Sequence, residues 1–413
     1  MTGQAEKATP PVLTPAPLVA EKVFPQFSAG ERARRWTAAR RAMAEGDLDC
    51  LIVAGSSARY NEMQANVRYL SNVGDKISTM SFVVFPATGE PTLLLGMSVK
   101  PSTQALSWIG DLRPFAAPHL GPLIGERLHE LGCATGRVGF VGVDEYHALP
   151  ANIFAYLHTN CPKCTFTDET AMLTGLRTIK SAEEIAFIEQ GCRLGDLAHQ
   201  AFVNAVAEGV DEYEIQAAVE YTICRHGGEG PNLILLNSGP QTPFGPTMVD
   251  HQASGRRLRR GDVTLIEISS RYGGYYGQSQ RTAVLGRPGP QLRSIYEVAL
   301  EAYAAVQAAV RPGATTRDVL RAGAVIERAG MSHNAPLVHG IGMGAPDYPR
   351  GIGIRGRPSA DVTFEAGMAL VIEINPVLGD QELGVFIGNT FVVEPGGVRR
   401  LHHTPVDLIV GGG

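Results

Sequence analysis

The 413-residue chain has no apolar run near the roughly 18–20 residues of a membrane span, so no transmembrane helix is expected. It has no excess of positive charge either. Its 36 Lys and Arg against 41 Asp and Glu give a formal net charge of −5, which removes the electrostatic case for nucleic acid or an anionic membrane as partner. The run Arg256-Arg257-Leu258-Arg259-Arg260 is the exception, and it reads as a solvated turn ahead of a strand at Val263. Cysteine is scarce. Of six, only Cys161 and Cys164 form a C-x-x-C, with no second Cys or His pair nearby, so neither a zinc module nor a disulfide framework is expected. The opening residues have no basic stretch followed by an apolar core, so no secretory signal is expected and a cytoplasmic location follows.

What is there is the composition of a globular protein, 44% hydrophobic and 19% charged, in a chain too long for one ordinary core. Residues 1–28, rich in Pro, Ala and Thr, read as a flexible arm. Residues 29–176 alternate helical patterns with short apolar runs, "DCLIVAG", "SFVVFPA", "PTLLLGM" and "RVGFVGVD", as expected of an α/β unit with buried strands. From 177 to 413 the order changes to helix pair, strands, helix pair, strands. Ser181 and Glu184 there form a capping box for a long helix. That order predicts an α+β domain in which two similar halves pack helices on one curved antiparallel sheet.

Several polar residues interrupt the apolar strands of this second domain: Glu267, Gln278, His339, Glu373 and Asn389. A buried carboxylate without partners is costly, so five such residues on strands of one sheet are expected to converge on one another or on a ligand. "GIGIRG", 351–356, formally matches a dinucleotide fingerprint, but no apolar strand precedes it and Pro358 forbids the helix that must follow.

In order and spacing, "IKSAEEIAFI", "RRGDVTLIEISSRYGGYYGQSQRT", "HGIGMG", "VIEINP" and "GVFIGNT" resemble the creatinase/aminopeptidase P family. The resemblance covers about residues 177–400, with "NVRYLSNVG" similar to the family's first-domain loop. It implies a C-terminal pita-bread domain behind a creatinase-type N-terminal α/β domain. It also implies a homodimer in which the first domain closes over the partner's pocket. The family's metallopeptidases hold two metal ions on two Asp, one His and two Glu. The matching positions here are Glu267, Gln278, His339, Glu373 and Gly388, and Pro346 stands where a second family histidine would be. A pair of hard divalent ions needs several carboxylates, and only two remain.

The metal-free creatinase branch is the precedent that this loss suggests. Its His and Glu match His339 and Glu373, and its substrate-carboxylate arginine matches Arg350. Its extra Glu is Gln280 here, its general-base histidine falls on Asp250 with His251 next to it, and its loop arginine is missing from "SNVGDKISTM", where Lys76 is the replacement. The expectation is therefore a creatinase-like, metal-independent hydrolase without cofactor, cleaving a C–N bond in a small polar, carboxylate-bearing molecule. His339, Glu373 and either Asp250 or His251 would be catalytic. Glu267, Tyr275, Tyr276, Gln278, Gln280, Arg350, Asn389 and Lys76 would bind substrate. Three alternatives stay open: an Xaa-Pro metallopeptidase with a degenerate site and a single divalent metal on Glu267, His339 and Glu373, a metal-free lyase in the same pocket, and a non-catalytic binding protein.

Overall fold

The computed structural model describes residues 23–411 apart from 57–61, 75–79, 97, 117–118, 144–148, 231, 242–243, 355–358, 360 and 380–381. The first unit begins at the helix Ala29–Glu45, where the Ser28 hydroxyl accepts a bond from the Glu31 amide. Its six-stranded sheet runs in the order Asp111–Phe115, Thr92–Gly96, Met80–Pro86, Cys50–Ser56, Arg137–Val141, Thr165–Asp168. Cys50–Ser56 is buried along its whole length. A strand covered on both faces has no need to alternate, which is why it reads as a continuous apolar run.

The second unit is built on a nine-stranded sheet. Its main path is Asp347–Ile352, Val338–Gly340, Ala369–Ile374, Ile387–Glu394, Tyr275–Leu285, Asp262–Tyr272, Leu233–Pro240, antiparallel throughout. Helices Ala182–Ala205 and Glu212–Arg225 cover one half, with Ala198, Phe202, Ile215 and Val219 packed on Ile266, Ile268 and Ala283. Helix Pro290–Ala309 covers the other, with Ile295, Ala299 and Tyr303 against Leu370, Ile372 and Phe391. The capping box forms, Ser181 Oγ accepting from the Glu184 amide at 3.1 Å and the Glu184 carboxylate from the Ser181 amide at 2.8 Å. The last helical stretch of this unit is in two pieces, Thr316–Gly323 and Val325–Arg328.

The long helix lies unusually close to the hairpin. A Cβ at Gly191 would stand 2.7 Å from the Gly277 amide nitrogen, and one at Gly277 would stand 2.3 Å from that of Cys192. Only glycines permit that approach. With both helix pairs on one face, strand alternation sends Glu267, Gln280 and Glu373 to the other. Leu258 of the basic run is buried, while Arg256 and Arg257 bond Asp262 and Asp211, so the run is a tied-down turn. Among the described residues no helix is long and apolar enough to cross a membrane. The fold is thus a creatinase-type α/β domain followed by a pita-bread domain.

Candidate active site

Register builds the site. Glu267 lies opposite Gln280, Gln280 opposite Gly388, and Gly388 opposite Glu373. Directly opposed residues share a face, so these four form one row across four strands. Gln278 precedes Gln280 by two residues and joins the same face. His339 is opposite Val371, two residues before Glu373, and joins it too. All of these polar side chains are buried.

The two glutamines tie the carboxylates together. Gln280 Nε2 donates to Glu373 Oε2 at 2.6 Å, and Gln278 Nε2 donates to Glu267 Oε1 at 3.1 Å and Glu373 Oε2 at 3.3 Å. His339 Nδ1 lies 2.7 Å from the Gly340 carbonyl oxygen, so it carries the proton and donates there. That leaves Nε2 facing Glu373 Oε1 at 3.7 Å. Burial, and then the neighbouring Glu373 carboxylate, push the Glu267 carboxyl up to about 8. Burial alone would push the His339 imidazolium down, but Glu373 and the Gly340 carbonyl outweigh it and the net shift is upward.

Not every other residue expected at the site joins this row. Asn389 is one step from Gly388 and therefore points to the opposite face, where it accepts from Arg281 and donates to the Tyr303 hydroxyl. Tyr275, off by an odd number from Gln278, also faces away. It donates to Glu184 at 2.7 Å and accepts from Arg35 at 3.0 Å, at the seam between the units. Tyr276 is buried with the Arg271 guanidinium 5.8 Å from its ring centre. Asp250 and His251 are exposed, the Asp250 backbone pairing with Leu236. Arg350 is half-buried on the edge strand, one strand out from His339. Lys76 lies outside the described residues. A cavity of about 460 Å³ between the units, lined in part by Arg68, Glu229 and Gly273, includes none of the row.

The sequence reading missed the layer behind the row. Thr390 Oγ1 bonds both the amide and the carbonyl of Gln278, and His402 Nε2 donates to that carbonyl at 3.1 Å with Asp196 behind it. His199 Nε2 meets Ser279 Oγ at 2.8 Å. His199 shares a buried helix face with Gly191, Gly195, Ala198 and Phe202, and that spacing was the signal available for it.

Residues 186–395 match the model of metallopeptidase family M24, and residues 35–179 match the creatinase/prolidase N-terminal domain. The chain belongs to metallopeptidase family M24. It is 32% identical over 247 residues to an Xaa-Pro dipeptidase of Pyrococcus furiosus, covering 58% of this chain and 67% of that protein. It is 23% identical to a creatinase of a Bacillus species, covering 88% of each. The prolidase structure from Pyrococcus horikoshii superposes on 91% of this chain and all of that one, with a TM-score of 0.73 at 23% identity. These relatives overturn the expectation of a metal-independent creatinase-like enzyme without cofactor. The matched family is one of metallopeptidases, and the dipeptidase matches at higher identity than the creatinase, so the metallopeptidase alternative takes its place.

The residues present do not fit two ions. Gly388 has no side chain to offer, and Gln278 directs amide N–H groups at the two carboxylates rather than a negative oxygen at a cation. For one ion the donor chemistry fits: two carboxylates and an imidazole nitrogen, with Glu267 raised by burial and then by the neighbouring Glu373 carboxylate. As they stand, with glutamine amides between the carboxylates, no three His, Cys, Asp or Glu side chains among the described residues are arranged to grip an ion. Taking one up requires the Gln278 amide, which bridges the two carboxylates, to turn aside.

Proposed function

We propose that the chain hydrolyses the C–N bond of a small peptide, as an Xaa-Pro dipeptidase does, with one divalent ion held by Glu267, His339 and Glu373. The supporting observation is the pair of buried carboxylates in one row, one of them raised to about 8 beside the other, which is a site short of positive charge. When bound, such an ion polarises the scissile carbonyl and lowers the pKa of a coordinated water. With no cation present, burial and the Glu373 carboxylate keep Glu267 protonated near pH 7, so taking up the ion would release that proton and turn Glu267 into an anionic ligand. His339, fixed by its Nδ1 bond to Gly340, would give up any Nε2 proton on binding the ion and present that nitrogen as a ligand. Glu373 is held by Gln280, and Arg350 is assigned to the substrate carboxylate as a fork for two oxygens.

A homodimer, with the segment around Lys76 reaching the partner's pocket, and a reducing cytoplasmic location are part of this reading. The six free cysteines support the latter. The test is a panel of Xaa-Pro and Xaa-Ala dipeptides assayed after exhaustive chelation and again with Mn²⁺, Co²⁺ or Zn²⁺ restored. Ion-restored cleavage of Xaa-Pro peptides is expected. Cleavage that survives chelation undiminished, or none with any ion, contradicts the reading.

A further inference from the structure

Gly388 not only lacks a side chain but has no room for one. A Cβ at 388 would fall 2.1 Å from Gln280 Oε1, 2.7 Å from the Ile372 carbonyl oxygen and 3.0 Å from Glu373 Cα. The space a side chain at 388 would need is already taken, and the nearest atom in it belongs to Gln280. The same carboxamide donates through Nε2 to Glu373 at 2.6 Å. Gln280 is fully buried, and among the described residues its Oε1 has no hydrogen-bond partner. An unpaired buried acceptor carries a desolvation penalty, so the Nε2 bond to Glu373 and packing, not any bond of Oε1, hold it at that spot.

We propose that Gln280 and Gly388 are a coupled pair that closes the site to a second cation. Gln280 is the positioning residue. Its side chain fills the volume in front of 388, and its N–H occupies Glu373 Oε2, an oxygen that a second ion would need. The missing side chain at 388 and the glutamine at 280 are then one change seen from two strands, since each would be sterically or electrostatically out of place without the other. This rests on the one-ion reading above and deepens it.

The test counts ions and does not depend on turnover. Mn²⁺ is titrated calorimetrically into chelated wild type and Gln280→Glu, a change that keeps the shape, removes the donor to Glu373 and adds a carboxylate. One equivalent is expected for the wild type and two for the variant. Two equivalents in the wild type overturn the proposal, as does a folded Gln280→Glu protein that binds no more ions than the wild type. A wild type that binds none while Gln280→Glu gains one would remove the one-ion reading and leave the coupled pair standing. Should Gln280→Glu not fold, a double-mutant cycle decides. Gly388→Ala should lower the melting temperature less in a Gln280→Ala background than in the wild type. An equal fall in both backgrounds refutes the coupling.

Discussion

Buried beside Glu373, the Glu267 carboxyl keeps its proton up to about pH 8, far above its ordinary 4.5. A folded-state pKa above the unfolded one stabilises the fold fully below the unfolded value, and that stabilisation is lost as pH rises through the folded value. His339, also shifted upward, acts in the same direction. The melting temperature of the chelated protein should therefore fall between about pH 5 and 9, and Glu267→Gln should flatten the fall. A wild-type profile that is flat over that range would refute the charge deficit. Glu373→Gln should lower turnover by about 10²–10⁴-fold, as expected for loss of a group that handles the reacting charge or proton. Rate and melting temperature measured together separate this from a structural loss. Normal turnover by the folded variant would remove Glu373 from the chemistry.

At the scale of elements, alternation along strands decided what sequence could reveal. Glu267, Gln278, His339 and Glu373 stood out because each interrupts an apolar run, and all four share a face. Asn389 interrupts a run equally but faces the other way, a distinction that register with Gly388 and Gln280 makes and composition does not. The strands Asp111–Phe115 and Thr165–Asp168 went unread because they lie at sheet edges, half-exposed, with no buried run to mark them. The contact of helix Ala182–Ala205 with the hairpin was also illegible, since a glycine in a helix does not show what it touches. Gly191→Ala would press a methyl within 2.7 Å of the Gly277 nitrogen. It should cost about 1–3 kcal/mol, the usual penalty of overpacking. An unchanged denaturation midpoint would show that the helix shifts freely.

For the whole molecule, one link between the two units is both buried and charged. Arg177, at their junction, donates to Asn66 of the first unit at 2.6 Å and to Asp347 of the second at 2.8 Å. Burial alone would raise the Asp347 carboxyl, but Arg177 and Lys180 lower it overall from 3.8. A depressed carboxyl contributes stability above its unfolded pKa and loses it as pH falls through the folded one. Acid below about pH 4 should therefore loosen the junction, and Asp347→Asn should remove that part of the acid sensitivity. Proteolysis near residue 177 reports it, and equal acid sensitivity in both proteins would contradict it.

The fold and the family were legible in the motif order. Hydrolysis of a C–N bond was legible as well, whereas metal independence was a misreading, because the carboxylates missing at 278 and 388 outweighed the three donors that remain. The most direct test of those three is turnover of an Xaa-Pro dipeptide by chelated protein as Mn²⁺ is added in fractional equivalents. Activity should rise from near zero and level off at one equivalent per chain. A plateau at two equivalents, or turnover indifferent to the ion, would contradict a single-ion peptidase.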